Sequence, residues 1–288
     1  MSQALWSKTA LAQAVGLTVA GAGVASVAQA DSVMPSLSLT TYDLNLRSDD
    51  FSGGAYGTNS NSSLADGREE KLKITLPASG QRDFAFSLTR SNDINATSDD
   101  KYSFPFGTST NAKTNYDIID FEAGHNSTLG NTATRISAGL RYIDLDQDIK
   151  ANFSYASKYG GAVYRGKHDL KALGVRVAGE FDMPLSKGLS VSGALGGSLL
   201  YGKRDSDYTP KYASAVSKDD NDTIYGVDSE VALNYDLSPG TPEGTTLSLG
   251  YTWAKTYNLI QTNTDENYGD GVSDVTQDGW FVRLKSTF

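Results

Sequence analysis

Fourteen ionisable side chains fall at alternating positions of short β-patterned segments. Lys71, Lys73, Arg135, Arg141, Arg176, Arg283 and Lys285 are basic; Asp83, Asp120, Glu122, Glu180, Asp228, Glu230 and Asp236 are acidic. Alternation at period two places residues on one face of a strand, so these charges share the polar face. Balanced charges on one enclosed face can do two kinds of chemistry. Packed together they form ion pairs that brace an interior; spaced around water they line a filter that sorts ions. The sequence leaves both open.

Other reactive residues are few. There are two histidines and no cysteine, so a disulfide framework and a thiolate metal site are both excluded. His125 falls in a short turn. His168 opens a strand, but Asp169 faces the opposite way there, so the two form no dyad, and no motif singles out a partnered serine. No catalytic residue is assigned, and no cofactor is expected. The acidic runs "DLDQD" (144–148) and "DENYGDGVSD" (265–274) offer oxygens to hard cations. Neither has the sixth-position glycine and closing glutamate of an EF-hand loop. They read as solvated loop charges, or as carboxylates bridged by divalent ions to surface lipopolysaccharide; no metal site is assigned.

The elements that must position the charged face are strands. "KLKITL" (71–76) sets Leu72, Ile74 and Leu76 against Lys71, Lys73 and Thr75, and "DFAFSLT" (83–89) sets Phe84, Phe86 and Leu88 against Asp83, Ala85, Ser87 and Thr89. "LGVRVAGEF" (173–181), "LSVSGALGGSLLY" (189–201), "YGVDSEVALNYDL" (225–237) and "LSLGYTW" (247–253) repeat the form. Ten strands are expected near 36–48, 69–77, 82–92, 114–124, 132–146, 167–182, 189–203, 223–237, 244–257 and 277–288. Short connections such as "ASGQ" and "PLSKG" alternate with five of about 20 residues rich in Gly, Asn, Ser, Asp and Tyr. Long connections on one side and short turns on the other predict an all-β fold: an antiparallel up-and-down transmembrane β-barrel of about ten strands, with long extracellular loops and short periplasmic turns. Closure pairs every backbone amide, as lipid requires. An even strand count puts both termini on the short-turn side. Glycines 193, 196 and 197 leave gaps in the seventh strand opposite which arginines could fit.

Composition agrees. The 288 residues include 29 glycines and 16 tyrosines but only seven prolines, and the formal charge of −9 argues against nucleic acid as a partner. Mean hydropathy of −0.37 looks soluble, yet a membrane barrel hides its apolar residues at every second position. Residues 1–30 carry one charge, Lys8, and end in "AQA". They read as a secretory signal cleaved between Ala30 and Asp31, with Ala28 and Ala30 as the small residues of the site. Residues 31–288 then form one barrel domain without a run long enough for a membrane helix.

Two segments break phase. "SLSLTTYDLNL" (36–46) slips between Leu39 and Tyr42, and "ISAGLRYIDLD" (136–146) slips after Tyr142; a bulge or an exit from the apolar layer would explain each. At the end of the chain, Trp280, Val282, Leu284 and Phe288 share an outward phase, with Arg283 and Lys285 inward. A final phenylalanine in that phase resembles the signal by which barrel-assembly machinery selects its substrates, and an aromatic there also suits the membrane interface.

The segment "YDIIDFEAGHNSTLGNTATRISAGLRYIDLDQDI" (116–149) resembles the Legionella-type major outer membrane protein family, whose members are pore-forming outer-membrane barrels. The likeness continues through "ALGVRVAGEFDMPLSKGLSVSGALGGSLLYG" (172–202), "GVDSEVALNYDL" and "LSLGYTWAKTYN", while residues 31–110 match in general character only. The resemblance implies a porin-like barrel in the outer membrane of a Gram-negative bacterium, passing ions or small solutes. It also suggests contact with a host or other surface ligand, and it transfers no catalytic residue. The small strand count leaves a narrow lumen. A surface barrel whose loops bind partners is the alternative.

Overall fold

The computed structural model describes residues 34–48, 64–101, 106–155, 162–210, 216–238, 243–261 and 272–288. The expected signal segment, with Ala28, Ala30 and Asp31, lies outside the described residues, as does most of the acidic run 265–274. Ten antiparallel strands close on themselves in sequence order: β1 Ser36–Ser48, β2 Leu64–Pro77, β3 Arg82–Lys101, β4 Phe106–Leu129, β5 Thr132–Tyr155, β6 Ala162–Ser186, β7 Leu189–Pro210, β8 Val216–Asp236, β9 Gly244–Gln261 and β10 Val272–Thr287. β1 pairs with β10 from Ser36↔Thr287 to Ser48↔Val275, and the Phe288 amide donates to the Pro35 carbonyl at 3.0 Å, so the seam is sealed to the last residue.

The strands outrun their expected bounds. β5 continues to Tyr155 and β6 begins at Ala162, so the connection expected to be about 20 residues is residues 156–161; between β3 and β4 it is 102–105. Alternation fades in these extensions, and their Gly, Asn and Ser content imitates a loop. The sidedness of the barrel therefore lies in strand length more than in loop length. On the opposite side the turns are tight: β4 and β5 are joined by Gly130 and Asn131, and β6 and β7 by Lys187 and Gly188. Gly130 and Gly188 have φ of 65° and 78°, a left-handed conformation that a side chain disfavours.

Neither phase slip is a bulge. β1 keeps unbroken register with β2 and β10 through Leu39–Tyr42, and β5 does so with β4 and β6 through Tyr142–Leu145. What changes is the environment. Toward the short turns, outward residues are apolar and inward ones polar. Farther along, inward residues become apolar: Tyr42, Leu44, Ile143, Leu145, Leu170, Leu200 and Ile224 are all buried inside the barrel. Outward positions on the same stretches carry Asp43, Asp144, Lys171 and Lys203. The lower barrel is thus built for lipid outside and polar contents inside, and the upper barrel for water outside and an apolar core inside.

Phe281 marks the junction. It points inward, lies 5.4 Å from the Tyr42 ring, and has the Arg283 guanidinium 4.8 Å over its face. Gly250 makes room for it, since a Cβ there would come within 2.4 Å of both the Phe281 ring and the Val231 carbonyl oxygen. The Gly250→Val substitution is expected to cost about 1–3 kcal/mol through overpacking, seen as a lower thermal midpoint by circular dichroism in detergent.

Candidate functional site

The lower lumen is organised by four arginines, each on a different strand or rung: Arg135 and Arg141 face carboxylates on adjoining strands, while Arg176 and Arg283 reach carboxylates two strands away. Strand register sets Arg135 on β5 opposite Glu180 on β6 and Arg141 opposite Asp120 on β4, while Arg176 on β6 stands opposite Gly139. Arg135 reaches Asp83 at 2.8 Å, Glu122 at 3.1 Å and Glu180 at 2.7 Å. Glu180 also takes Lys73 at 2.8 Å. Arg176 donates to Glu122 at 3.0 Å and, through two nitrogens, to Asp228. Arg141 grips Asp120 with two bonds of 2.7 and 2.9 Å. Arg283 binds both oxygens of Glu230 at 2.7 and 2.8 Å and donates to Thr40 Oγ1 at 3.0 Å. The planar five-donor guanidinium suits such forked contacts better than an ammonium does.

Missing side chains let these arms extend. A Cβ on Gly196 would strike the Arg176 guanidinium at 2.5 Å, and one on Gly124 would strike Arg135 at the same distance. Of the three seventh-strand glycines expected to receive arginines, Gly196 alone does so. Gly193 faces outward beneath the Phe181 ring, and Gly197 also lies on the outer face, where a residue's parity along the strand decides its side.

Thirteen of the fourteen ionisable residues line one lumenal cavity of about 480 Å³, bounded below by Met34 and Thr287 and above by Tyr42, Leu44 and Ile118. Asp236 does not: it sits at the short-turn rim, where its Oδ1 accepts from the Ser238 amide at 2.9 Å. The fixed parity of the strand aims Asp236 inward, but at a level where β8 is already turning toward β9. Glu69 and Asp182 also line the cavity and were missed. Stepping two residues from Lys71 and from Glu180 would have found them. Glu69 accepts from the Tyr116 hydroxyl, which itself accepts from Gln277 at 2.8 Å, closing the charged layer at its upper edge.

Above the apolar core lies a second polar layer that the alternation did not reveal. Arg204 is 2% exposed and bonds Asp222 at 2.6 Å and the carbonyls of Leu259 and Asn258 at 3.1 and 2.8 Å. His168, fully buried, has Nδ1 2.9 Å from Ser206 Oγ and lies in register with Gln147. It stands five residues beyond the outward Leu173, roughly 17 Å along the strand, and so outside the apolar belt. Asp169 faces outward to Lys167 at 3.0 Å, so the histidine and its sequence neighbour do not join.

Among the described residues no group of three His, Asp or Glu side chains could hold a metal ion. Two predictions follow from the charged layers. Arg135→Gln strands Asp83, which is 1% exposed, and is expected to cost about 3–5 kcal/mol. Arg135→Gln combined with Asp83→Asn should cost less than Arg135→Gln alone, as read from urea unfolding midpoints. Burial and the Arg204 guanidinium pull the His168 imidazole down to about 4. The unfolded chain binds this proton near pH 6.5 while the folded chain refuses it until about 4, so stability falls as pH drops through that window. His168→Gln should flatten this part of the stability–pH curve measured by urea unfolding.

One solved structure shares the architecture at fold level. The outer membrane protease OmpT from Escherichia coli aligns with a TM-score of 0.55 at 10% identity, covering 91% of this chain and 99% of that one. At that identity the likeness is one of fold. The translocator domain of the autotransporter NalP from Neisseria meningitidis aligns at 0.41 and 12%, covering 98% and 96%. No curated protein sequence matches significantly. The sequence pattern described as the Legionella pneumophila major outer membrane protein precursor matches residues 57–288, starting well before the motifs that carried the resemblance. With a closed ten-strand barrel, a lipid-facing belt and this match over most of its length, the chain belongs to the family of the Legionella pneumophila major outer membrane protein and resides in the bacterial outer membrane.

Proposed function

We propose that the protein is a porin-like barrel, closed in this conformation, that passes ions or small solutes when the apolar layer above its charged cavity yields. The observation that carries this reading is the junction of the two: a charged cavity of about 480 Å³ leads from the short-turn rim to a ceiling of Tyr42, Leu44 and Ile118. Beyond that ceiling lie Ile143, Leu200 and Ile224, at most 5% exposed. A hydrophobic constriction gates by excluding water, so conduction through it is intermittent and small. The arginine network serves as bracing and as the lining of the vestibule together, which joins the two roles left open by sequence.

The reading is non-enzymatic. His168 and Ser206 approach as a base and a hydroxyl could, but exposures of 0% and 3% leave a substrate no access through the described residues. A second reading, a surface barrel that presents binding loops, draws on the strand-built wall above the lipid belt, with exposed Lys167, Lys203 and Asp205 on its outer face. That wall would meet lipopolysaccharide and any host or surface ligand. Trp280, Val282 and Leu284 are all exposed on the lipid side, which suits their proposed use, with Phe288, as an assembly-machinery signal.

Planar-bilayer recordings separate the readings. The wild-type protein is expected to show rare, low-conductance openings, and Ile143→Ser with Leu200→Ser should raise open probability at least tenfold. A folded double variant that passes no current removes the pore and leaves the surface reading.

A further inference from the structure

The cavity wall is uneven in charge, and the excess falls on three adjacent strands. In register, Lys73 of β2 and Lys285 of β10 flank Ser38 of β1, while Lys71 and Arg283 flank Thr40 one inward rung higher. Strands lie about 4.8 Å apart and same-face neighbours about 6.8 Å apart, so four cationic stems rise from a patch roughly 10 Å across. Like charges placed this closely across a sheet repel one another.

Two of the four make close ion pairs with protein. Lys73 is held by Glu180 at 2.8 Å and Arg283 by Glu230 at 2.7 Å. Among the described residues no carboxylate lies within ion-pair distance of the Lys71 or Lys285 ammonium. Four of the cavity's carboxylates are engaged by arginines, Asp83 with Arg135, Asp120 with Arg141, and Glu122 and Asp228 with Arg176, while Glu69 and Asp182 accept from the Tyr116 hydroxyl and the Asn234 amide instead of contacting either ammonium. Ser36, Thr75, Thr246 and Thr287 add hydroxyl donors to the same wall, which opens toward the short-turn rim.

We propose that this wall is a binding site for a small, multiply charged oxyanion of the inorganic phosphate class, entering from the periplasmic side. A divalent anion between Lys71 and Lys285 relieves both ammoniums at once, which a monovalent ion cannot. Its several oxygens accept from lysines and hydroxyls together, whereas chloride offers no directed acceptors. The inference deepens the proposed function, resting on the same vestibule, by naming a solute class; binding itself needs no conduction.

The test uses the full barrel refolded in non-ionic detergent at low ionic strength, titrated with inorganic phosphate by calorimetry and by phosphorus NMR line broadening. Saturable one-to-one binding is expected, weakened at least tenfold in Lys71→Gln/Lys285→Gln. It should be retained in Lys71→Arg/Lys285→Arg and in Lys203→Gln, a change on the outer wall. Absence of saturable binding to the wild type, or equal affinity in the glutamine variant, overturns the site. Bilayer recordings on the same preparations separate the two ideas. Current without phosphate binding overturns the site alone; binding without current supports the site and overturns the pore.

Discussion

Everything in this barrel follows from a reversal of solvent along its axis. The same ten strands pass from lipid to water on the outside, and backbone pairing cannot change to suit, because register is continuous from one region to the other. Side chains alone must adapt. In the lower half, lipid accepts Leu, Val and Phe, leaving the enclosed face to charge. In the upper half, water accepts Asp and Lys outside, and the hydrophobic effect packs Leu145, Leu170 and Ile224 within. The polar contents below and the dry core above are two answers to one rule, applied in different media.

The lower contents depend on complete pairing. A carboxylate such as Asp83 or Glu122, buried in a narrow lumen, is tolerable only with several charge-assisted partners, and both have them. Completeness in turn needs reach, which explains why glycine recurs at Gly124 and Gly196 beneath the guanidiniums. The wall of β2, β1 and β10 departs from that completeness, and the departure is local. It is therefore more informative about what the cavity contains than the well-matched ion pairs are.

The fold was readable wherever the two faces of a strand differ in kind. "KLKITL" and "LSVSGALGGSLLY" announce lipid on one side, and the lumenal charges follow by parity. The upper strands were not readable for the same physical reason. Along Asp144–Lys150, polar residues lie outward and Leu145 and Gln147 inward, so the contrast shrinks and reverses, and the segment passes for a loop. In sequence the slips in β1 and β5 fit a bulge and an exit from the apolar layer equally, because a reversal of solvent and an inserted residue leave the same mark in one dimension. The meeting of His168 with Ser206 is hidden in the sequence for want of register: nothing local to residue 168 says that residue 206 lies beside it.

The extended hairpins carry a consequence for how the molecule reaches its place. Strands β5 and β6 run on to Tyr155 and from Ala162, and β7 to Pro210, with charged residues such as Lys167, Asp169, Lys203 and Asp205 on their outer face. All of these must cross the bilayer before they can stand beyond it. Moving a lysine through the hydrocarbon centre costs on the order of 2–4 kcal/mol even on a barrel surface, and an aspartate less. Several in one hairpin amount to a barrier that unaided insertion crosses slowly. The polar wall that meets water outside the finished barrel thus also opposes withdrawal: once across, the hairpins face the same barrier in reverse.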